Sequence, residues 1–407
     1  MRAYPESFGV EGVAPVSIHD RVLGRVRGER PGPTLIVVGG IHGNEPAGVQ
    51  ALGRVLARLG ARSRDMRGDF VALAGNRAAL EVGRRFIHMD LNRAWTDDRL
   101  ERLRATGDVE GLAEDQEQLE LLEQMEAVVR RARGPVFVLD LHTTSGVGGP
   151  FTTFGDTLPN RDFASHIPVP MILGLEELVE GTLLAFLSRN GIVGAVYETG
   201  QHVEGAAVDR AEAGVWIALQ AAGVFAEGRL PEATVGRKLL QREANGIPRV
   251  LEMRYRHDIR PEDGFCMEPG YKNFEPVVQG QVVARDVRGD VRVGETGRLL
   301  MPLYQEQGQD GFFLIREFRP FWLFVSQVLR RMRVDRVAHW LPGVQRDPSL
   351  PDAVVVNKGV ARWYALQLFH LLGYRRHEDA GPRLVLGRRR YDEARYVEHG
   401  QPPGTLT

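Results

Sequence analysis

The sequence predicts an α/β fold in which helices cover both faces of a mostly parallel or mixed sheet, followed by a smaller β-rich domain and a helical C-terminal extension. Apolar runs of strand length alternate with amphipathic helical segments over the first half of the chain. After about residue 230, short runs rich in Val, Tyr and Phe are separated by turn signals. We therefore expect three domains in this chain of 407 residues, at 1–230, 231–318 and 319–407.

The α/β part begins with the run TLIVVGG at 34–40, which predicts a buried strand. Pro46 then suits the first turn of a helix, AGVQALGRVLARL. Strands follow at DFVALAG, VFVLDLH and IVGAVYETG, and helices at LAEDQEQLELLEQMEAVVRRAR, GTLLAFLSRNG and DRAEAGVWIALQAAGVF. Strands that alternate with helices favour parallel pairing, because each helix returns the chain to the same edge of the sheet.

Composition excludes several classes of protein. Hydrophobic residues at 43% and charged residues at 26% argue against long disorder. Since 52 basic residues meet 53 acidic ones, no bulk attraction to nucleic acid or an anionic membrane is predicted. No apolar stretch reaches the ~18 residues of a spanning helix, and the N-terminus lacks the apolar run of a secretion signal. We expect a cytoplasmic protein without a membrane or nucleic-acid partner.

A metal site in this chain must be built from His, Asp and Glu, because Cys266 is its only cysteine. His42 and Glu45 lie in GGIHGNEPAG, directly after the first predicted strand, and His142 ends the strand VLDLH. The carboxyl ends of parallel strands share one edge, so these side chains can converge. Two imidazoles and one carboxylate are the ligands of a catalytic zinc. We predict one zinc ion per chain, although other first-row metals accept the same ligands.

Further polar residues surround this expected site. The segment RRFIHMDLNRAW at 84–95 contains Asp90, which is expected to accept the other ring N–H of a zinc-bound histidine. Arg85 and Arg93 offer planar forks suited to substrate carboxylates. Glu198, in VYETGQ, again ends an apolar strand. A carboxylate beside the metal could take a proton from water and pass it to a leaving nitrogen.

Together these motifs resemble the succinylglutamate desuccinylase and aspartoacylase family, zinc enzymes whose catalytic domain is similar to that of zinc carboxypeptidases. The resemblance rests on G-G-x-H-G-N-E at 39–45, N-R-x-A at 76–79 followed by Arg85 and D-L-N-R at 90–93, D-L-H at 140–142, and E-T-G-Q at 198–201. The phrase NFEPVVQGQVVA at 273–284 also resembles the C-terminal β domain of the family. Four motifs in the family order are more specific than any one of them.

For the metal, the resemblance implies that zinc is bound by His42, Glu45 and His142. It also implies that Asp90 orients the imidazole of His42.

For the substrate, the resemblance implies that Asn92 and Arg93 bind the carboxylate of the amino-acid part. Arg85 falls at the family position that polarises the scissile carbonyl. Glu198 falls at the position of the general base and acid.

Two features depart from the family. In aspartoacylase a tyrosine of the β domain reaches the substrate, whereas LLMPLYQEQGQDGFF offers only Tyr304 as a loose match. The extension beyond about residue 320 has no counterpart in the family. Its basic clusters are expected to be a solvated face, and its aromatic residues a packed core or a homo-oligomer contact.

The sequence therefore predicts a zinc-dependent amidohydrolase, a deacylase that cleaves the amide bond of a small N-acyl amino acid or related amide. A metallocarboxypeptidase acting on peptide C-termini is an alternative, because its ligands and its Asn-Arg pair are similar. A non-catalytic zinc or metabolite-binding protein is a third reading. Metal content together with turnover of N-acyl amino acids and of dipeptides separates the three.

Overall fold

The protein is described by a computed structural model over residues 7–8, 16–107, 110–347, 350, 353–357, 359–360, 365–380, 383–389, 392 and 406. These residues contain ten α-helices: α1 Ala47–Leu59, α2 Arg77–Val82, α3 Asp97–Thr106, α4 Ala113–Arg131, α5 Leu158–Ser165, α6 Leu183–Arg189, α7 Gly205–Ala221, α8 Pro231–Glu243, α9 Pro320–Arg331 and α10 Ala365–Leu371. None of these helices combines the length and apolar character needed to cross a bilayer.

The same residues form twenty strands: β1 Ser7–Phe8, β2 Val16–Ser17, β3 Val22–Arg27, β4 Arg30–Gly39, β5 Arg67–Ala74, β6 Val136–Thr144, β7 Phe151–Thr153, β8 Met171–Leu173, β9 Val193–Gln201, β10 Val250–Asp258, β11 Cys266–Met267, β12 Pro276–Val277, β13 Val282–Asp286, β14 Gly289–Arg292, β15 Gly297–Leu300, β16 Asp310–Glu317, β17 Val344–Arg346, β18 Ala353–Asn357, β19 Tyr374–Ala380 and β20 Arg383–Arg388.

One large sheet organises the chain. It has 11 strands in the order β12-β15-β16-β10-β8-β7-β9-β6-β4-β5-β3. The central strands β5, β4, β6 and β9 run parallel, whereas both outer parts contain antiparallel pairs. The predicted fold class, a mixed sheet with helices, is confirmed.

Helices cover both faces of this sheet, which explains the continuous apolar runs of its central strands. The side chains of β4 alternate between the two faces, and Leu35 and Ile36 are both fully buried. Leu35 packs in the cluster that contains Trp216 of α7. Ile36 belongs to a separate cluster with Leu121 of α4 and Phe186 of α6. A strand buried on both faces holds its carboxyl end in a fixed position.

The segment predicted as a β-rich domain is joined directly to the large sheet. Strand β10 pairs in parallel with β8 of the preceding segment and antiparallel with β16. The segment also begins with a helix, α8, whose Gly236 lies against Ala213 of α7. Strands β11, β13 and β14 form a separate sheet of three strands. The division into three domains stays a prediction.

The sequence predicted a helical C-terminal extension, and this prediction is wrong in part. Besides α9 and α10 the extension contains a four-stranded antiparallel sheet in the order β17-β18-β20-β19. Its strands alternate: Val354 and Val356 of β18 are buried, as are Leu384 and Leu386 of β20, and they share one core. The sequence does not show this period of two, because the strands are short and Val355 and Val385, between the buried positions, are apolar as well.

Candidate metal centre

His42 and Glu45 occupy the tight loop between β4 and α1. The backbone N–H of Glu45 donates to the carbonyl of His42 at 3.2 Å, and this turn brings the two side chains together. Nδ1 of His42 lies 2.8 Å from Oε1 of Glu45. Gly43 is required between them because a Cβ there would collide with the backbone of Ala79. The glycine of the motif therefore allows the close approach of two backbone segments, whereas the histidine and the glutamate form the site.

His142 and Glu198 come from the next two strands of the sheet. Strand β6 lies beside β4, and β9 lies beside β6 with Glu198 in register with His142. Nδ1 of His142 is 3.1 Å from Oε2 of Glu45. The three residues predicted as metal ligands are therefore brought together by parallel strand ends.

This cluster of His42, Glu45 and His142 could hold a metal ion. One ligand atom from each side chain lies within 4.8 Å of the others. The three residues are 3%, 2% and 4% exposed, so they are withdrawn from bulk water. Among the residues that the structure describes, no other group of three such side chains meets this geometry.

Each imidazole is backed by a second carboxylate on its other nitrogen. Oδ1 of Asp90 lies 3.1 Å from Nε2 of His42, as the sequence predicted. Oδ2 of Asp140 lies 2.9 Å from Nε2 of His142. Such pairs fix the ring orientation of metal-ligating histidines and increase their basicity. Asp140 was missed from the sequence, although its position two residues before His142 on a strand places both on one face.

The electrostatics of the cluster favour a bound positive charge. Burial disfavours an ionised Glu45, but the neighbouring His42 and His142 outweigh it and hold the pKa of this carboxyl well below its usual range. Burial disfavours a charged His142, but Asp140 and Glu45 raise the pKa of this imidazole well above its usual range. A divalent cation satisfies the same carboxylates and displaces the proton. The donor set therefore fits a metal such as zinc.

Glu198 supplies a further indication. Burial raises the pKa of Glu198 to about 8, because its effect is larger than that of the neighbouring His142, which lowers the pKa. Its Oε2 is buried and has no hydrogen-bond partner. Because buried polar atoms are normally paired, a carboxylate oxygen without a partner indicates that a water or a cation binds beside it. Glu198 thus has the environment expected of an acid or base facing a metal centre.

The predicted substrate-binding residues line the same cavity, and each already has partners. Arg85 donates from Nη2 to Asp90 at 3.0 Å and approaches Glu45 at 3.7 Å. Asn92 accepts from the backbone N–H of Leu183 at 3.0 Å. Arg93 donates to Asp310 at 2.6 Å, and Arg256 donates to the other oxygen of Asp310 at 2.5 Å. Asp310 was not predicted, because it lies on β16, more than two hundred residues from Arg93.

The space around these residues that is not filled by protein atoms is about 940 Å³, including the part open to solvent. Tyr304, the loose match to the family tyrosine, does not line it, and its hydroxyl donates to the carbonyl of Glu268 at 2.7 Å. The neighbouring Gln305 lines the cavity instead and accepts from Asn44 and His202. His202 follows E-T-G-Q directly and is a second lining residue that the sequence reading missed.

Part of the chain matches the model of a known family. Residues 31–150 match the model of the Succinylglutamate desuccinylase/Aspartoacylase catalytic domain, a range that contains every predicted site residue except Glu198. A succinylglutamate desuccinylase of Photorhabdus laumondii subsp. laumondii is 31% identical over 90 residues. That match covers 22% of this chain and only 26% of the relative's own length.

Solved structures share the fold over a larger part of the chain. A succinylglutamate desuccinylase/aspartoacylase from Rhodobacter sphaeroides is 20% identical, with a TM-score of 0.55, and covers 73% of this chain and 88% of its own. The product-bound ectoine utilization protein EutE (DoeB) from Ruegeria pomeroyi is 18% identical, with a TM-score of 0.52. The match covers 71% of this chain and 86% of the EutE chain. The resemblance read from the motifs is confirmed for residues 31–150, which match the model of the catalytic domain of this family, and the solved structures share the fold.

Proposed function

We propose that this protein is a zinc-dependent deacylase that hydrolyses the amide bond of a small N-acyl amino acid. The observation that carries the proposal is the buried cluster of His42, Glu45 and His142, whose ligand atoms lie within 4.8 Å of one another, beside the orphaned carboxylate of Glu198. The desuccinylase name of the relative supports the reaction class. The cytoplasmic location stays a prediction.

His42, Glu45 and His142 would hold the ion, with Asp90 and Asp140 fixing the two rings. A bound zinc ion supplies Lewis-acid polarisation of the scissile carbonyl and of the attacking water. The carboxylate backing keeps Nδ1 of both histidines directed toward Glu45, so the ligands are arranged before the ion binds.

Glu198 acts as the base and then as the acid. It accepts a proton from the attacking water at a carboxylate oxygen and delivers it to the nitrogen of the departing amine. Burial raises the pKa of Glu198 to about 8, and a cation held by His42, Glu45 and His142 would favour its ionised form. Arg85 lies close to the same ligands and directs a guanidinium toward the oxyanion that develops on the acyl carbonyl.

Asn92 and Arg93 bind the α-carboxylate of the amino-acid part. Both line the cavity, and Arg93 is held in place by Asp310. A planar guanidinium suits a carboxylate because it donates two parallel hydrogen bonds. The acyl group must then face the metal cluster, which places the scissile bond between Arg85 and Glu198.

Turnover of a defined panel tests the proposal. Zinc-loaded protein is assayed against N-formyl, N-acetyl and N-succinyl amino acids and against unblocked dipeptides, with chelated protein as the control. We expect hydrolysis of at least one N-acyl amino acid that disappears on chelation and returns with zinc. Cleavage of dipeptides alone would replace the proposal with a carboxypeptidase, and bound zinc without any hydrolysis would replace it with a binding protein.

A further inference from the structure

One carboxylate of the cavity wall has no role in the mechanism above. Glu176 lies on a short 3-10 helix, Leu175–Glu177, and lines the cavity. Its side chain is only 6% exposed. Oε1 accepts hydrogen bonds, but Oε2 is buried and has no partner. A buried carboxylate oxygen without a donor is costly, which points to a ligand group that supplies one.

Glu176 is held by the C-terminal extension. Nη2 of Arg389, which follows β20, donates to Oε1 of Glu176 at 2.9 Å and to Glu177 at 2.8 Å. The extension is anchored to the catalytic domain by Arg330 of α9, which is fully buried and bonded to Asp156 at 2.9 Å. The region without a family counterpart therefore positions one residue of the cavity wall.

The segment after Glu176 contacts the loop that carries the predicted carboxylate-binding residues. The N–H of Leu183 donates to Asn92, and Trp95, two residues after Arg93, donates its N–H to Gly181 at 2.9 Å. The side chain of an amino acid branches from the carbon that carries its carboxylate. For a substrate whose carboxylate is bound by Arg93, we take this segment to be the wall that its side chain faces.

The wall of the cavity contains apolar and acidic side chains. Leu175, Val179, Leu184 and Val196 line the cavity and suit the methylene groups of a side chain. The titratable side chains lining the cavity are four carboxyl groups, two guanidiniums and three imidazoles: Glu45, Glu176, Glu198, Asp310, Arg85, Arg93, His42, His142 and His202. Both guanidiniums are paired with carboxylates. An anionic side chain would meet the carboxylate of Glu176, whereas a cationic one would pair with it.

We propose that the site selects N-acyl amino acids whose side chain ends in a positively charged nitrogen, that Glu176 recognises this nitrogen, and that Arg389 is the positioning residue for Glu176. The proposal rests on the deacylase function. It assigns to the extension a direct part in substrate selection, since Arg389 belongs to it.

The test compares three substrates of similar length: Nα-acetyl-lysine, Nα-acetyl-norleucine and Nα-acetyl-glutamate. For the wild-type protein we expect kcat/KM to be at least ~10-fold higher for the lysine than for the norleucine compound, and lowest for the glutamate compound. Glu176→Gln should reduce the lysine-to-norleucine ratio by about 10- to 100-fold, as expected for loss of a charge-assisted hydrogen bond, mainly through KM.

Matched variants separate recognition from stability. Glu177→Gln removes the neighbouring carboxylate, which also binds Arg389 but does not line the cavity, and should leave the ratio unchanged. Arg389→Gln should lower the ratio, and Arg389→Lys should restore part of it. A general loss of stability lowers kcat/KM for the lysine and norleucine compounds by the same factor and leaves their ratio unchanged.

Calorimetric binding of free lysine, norleucine and glutamate gives a readout independent of turnover. Hydrolysis without preference, or a ratio that Glu176→Gln does not change, would overturn the inference while the deacylase function stands. Lysine binding that depends on Glu176 without any hydrolysis would support the inference and overturn the function. Absence of both lysine binding and hydrolysis would overturn the two together.

Discussion

Asp140 lies 2.9 Å from Nε2 of His142, while Nδ1 of the same ring lies 3.1 Å from Glu45. The imidazole is therefore held between a carboxylate that orients it and one that would share its metal. We expect Asp140→Asn to weaken zinc affinity about 10- to 100-fold, because the amide no longer increases the basicity of the ring.

Competition with a fluorescent zinc chelator measures this affinity. Asp90→Asn should have an effect of similar size, since Asp90 backs His42 at 3.1 Å. Asp97→Asn, which alters an exposed aspartate at the start of α3, is the control and should leave the affinity unchanged. Wild-type affinity in both the Asp140 and the Asp90 variants would remove the assigned role of these carboxylates.

Glu198→Gln should lower kcat about 10²- to 10⁴-fold while zinc remains bound, because the amide cannot accept the proton of the attacking water. Metal content and kcat are measured on the same sample. Glu227→Gln, a change at an exposed carboxylate after α7, serves as the control. Near-normal turnover of zinc-loaded Glu198→Gln would exclude this residue as the base.

Zinc should stabilise the fold. A ligand present at about one hundred times its Kd raises the free energy of unfolding by ~2.7 kcal/mol if it binds only the folded state. Thermal unfolding of chelated protein, with and without added zinc, measures this shift. His142→Ala should abolish it. An equal shift in this variant would show that zinc binds elsewhere.

Arg93→Lys should raise KM by about 10-fold with a smaller change in kcat, because an ammonium group cannot donate two parallel hydrogen bonds to a carboxylate. Steady-state kinetics on the best substrate of the panel gives both constants. Arg292→Lys, in an exposed strand of the three-stranded sheet, is a matched control. A lower kcat at unchanged KM would instead place Arg93 at the reacting carbonyl.

The sequence was sufficient for those parts of the site that depend on strand ends. His42, Glu45 and His142 each follow or end an apolar run, and parallel strands bring such positions to one edge. The contacts of Arg93 with Asp310 and of Glu176 with Arg389 could not be predicted, because they join residues separated by more than two hundred positions. No local pattern encodes such pairs.

The extension shows the same limit at the level of secondary structure. A helical extension was expected, and α9 and α10 are helices, but β18 and β20 are strands of five and six residues. Apolar runs of this length do not distinguish a strand from a helix. The strand conformation of β18 and β20 depends on their pairing with each other.

Acid should weaken the anchor between the extension and the catalytic domain through Asp156. Burial disfavours the ionised carboxyl, but Arg161 and Arg330 outweigh burial and hold the pKa of Asp156 well below its usual range. A folded-state pKa below the unfolded value of ~3.9 means that Asp156 stabilises the fold above this pH and loses its contribution as the pH falls through the folded-state pKa.

We therefore expect Asp156→Asn to cost about 3–5 kcal/mol at pH 7, since it leaves the buried guanidinium of Arg330 without this partner. The difference in the free energy of unfolding between wild type and variant should become smaller below about pH 4. Urea unfolding from pH 7 to pH 3 measures both. Burial raises the pKa values of the neighbouring Glu176 and Asp392, whose titration has the opposite sign, so acid relieves the destabilisation that these two carboxyl groups cause. A difference that stays constant down to pH 3 would mean that packing, and not the charge of Asp156, stabilises this contact.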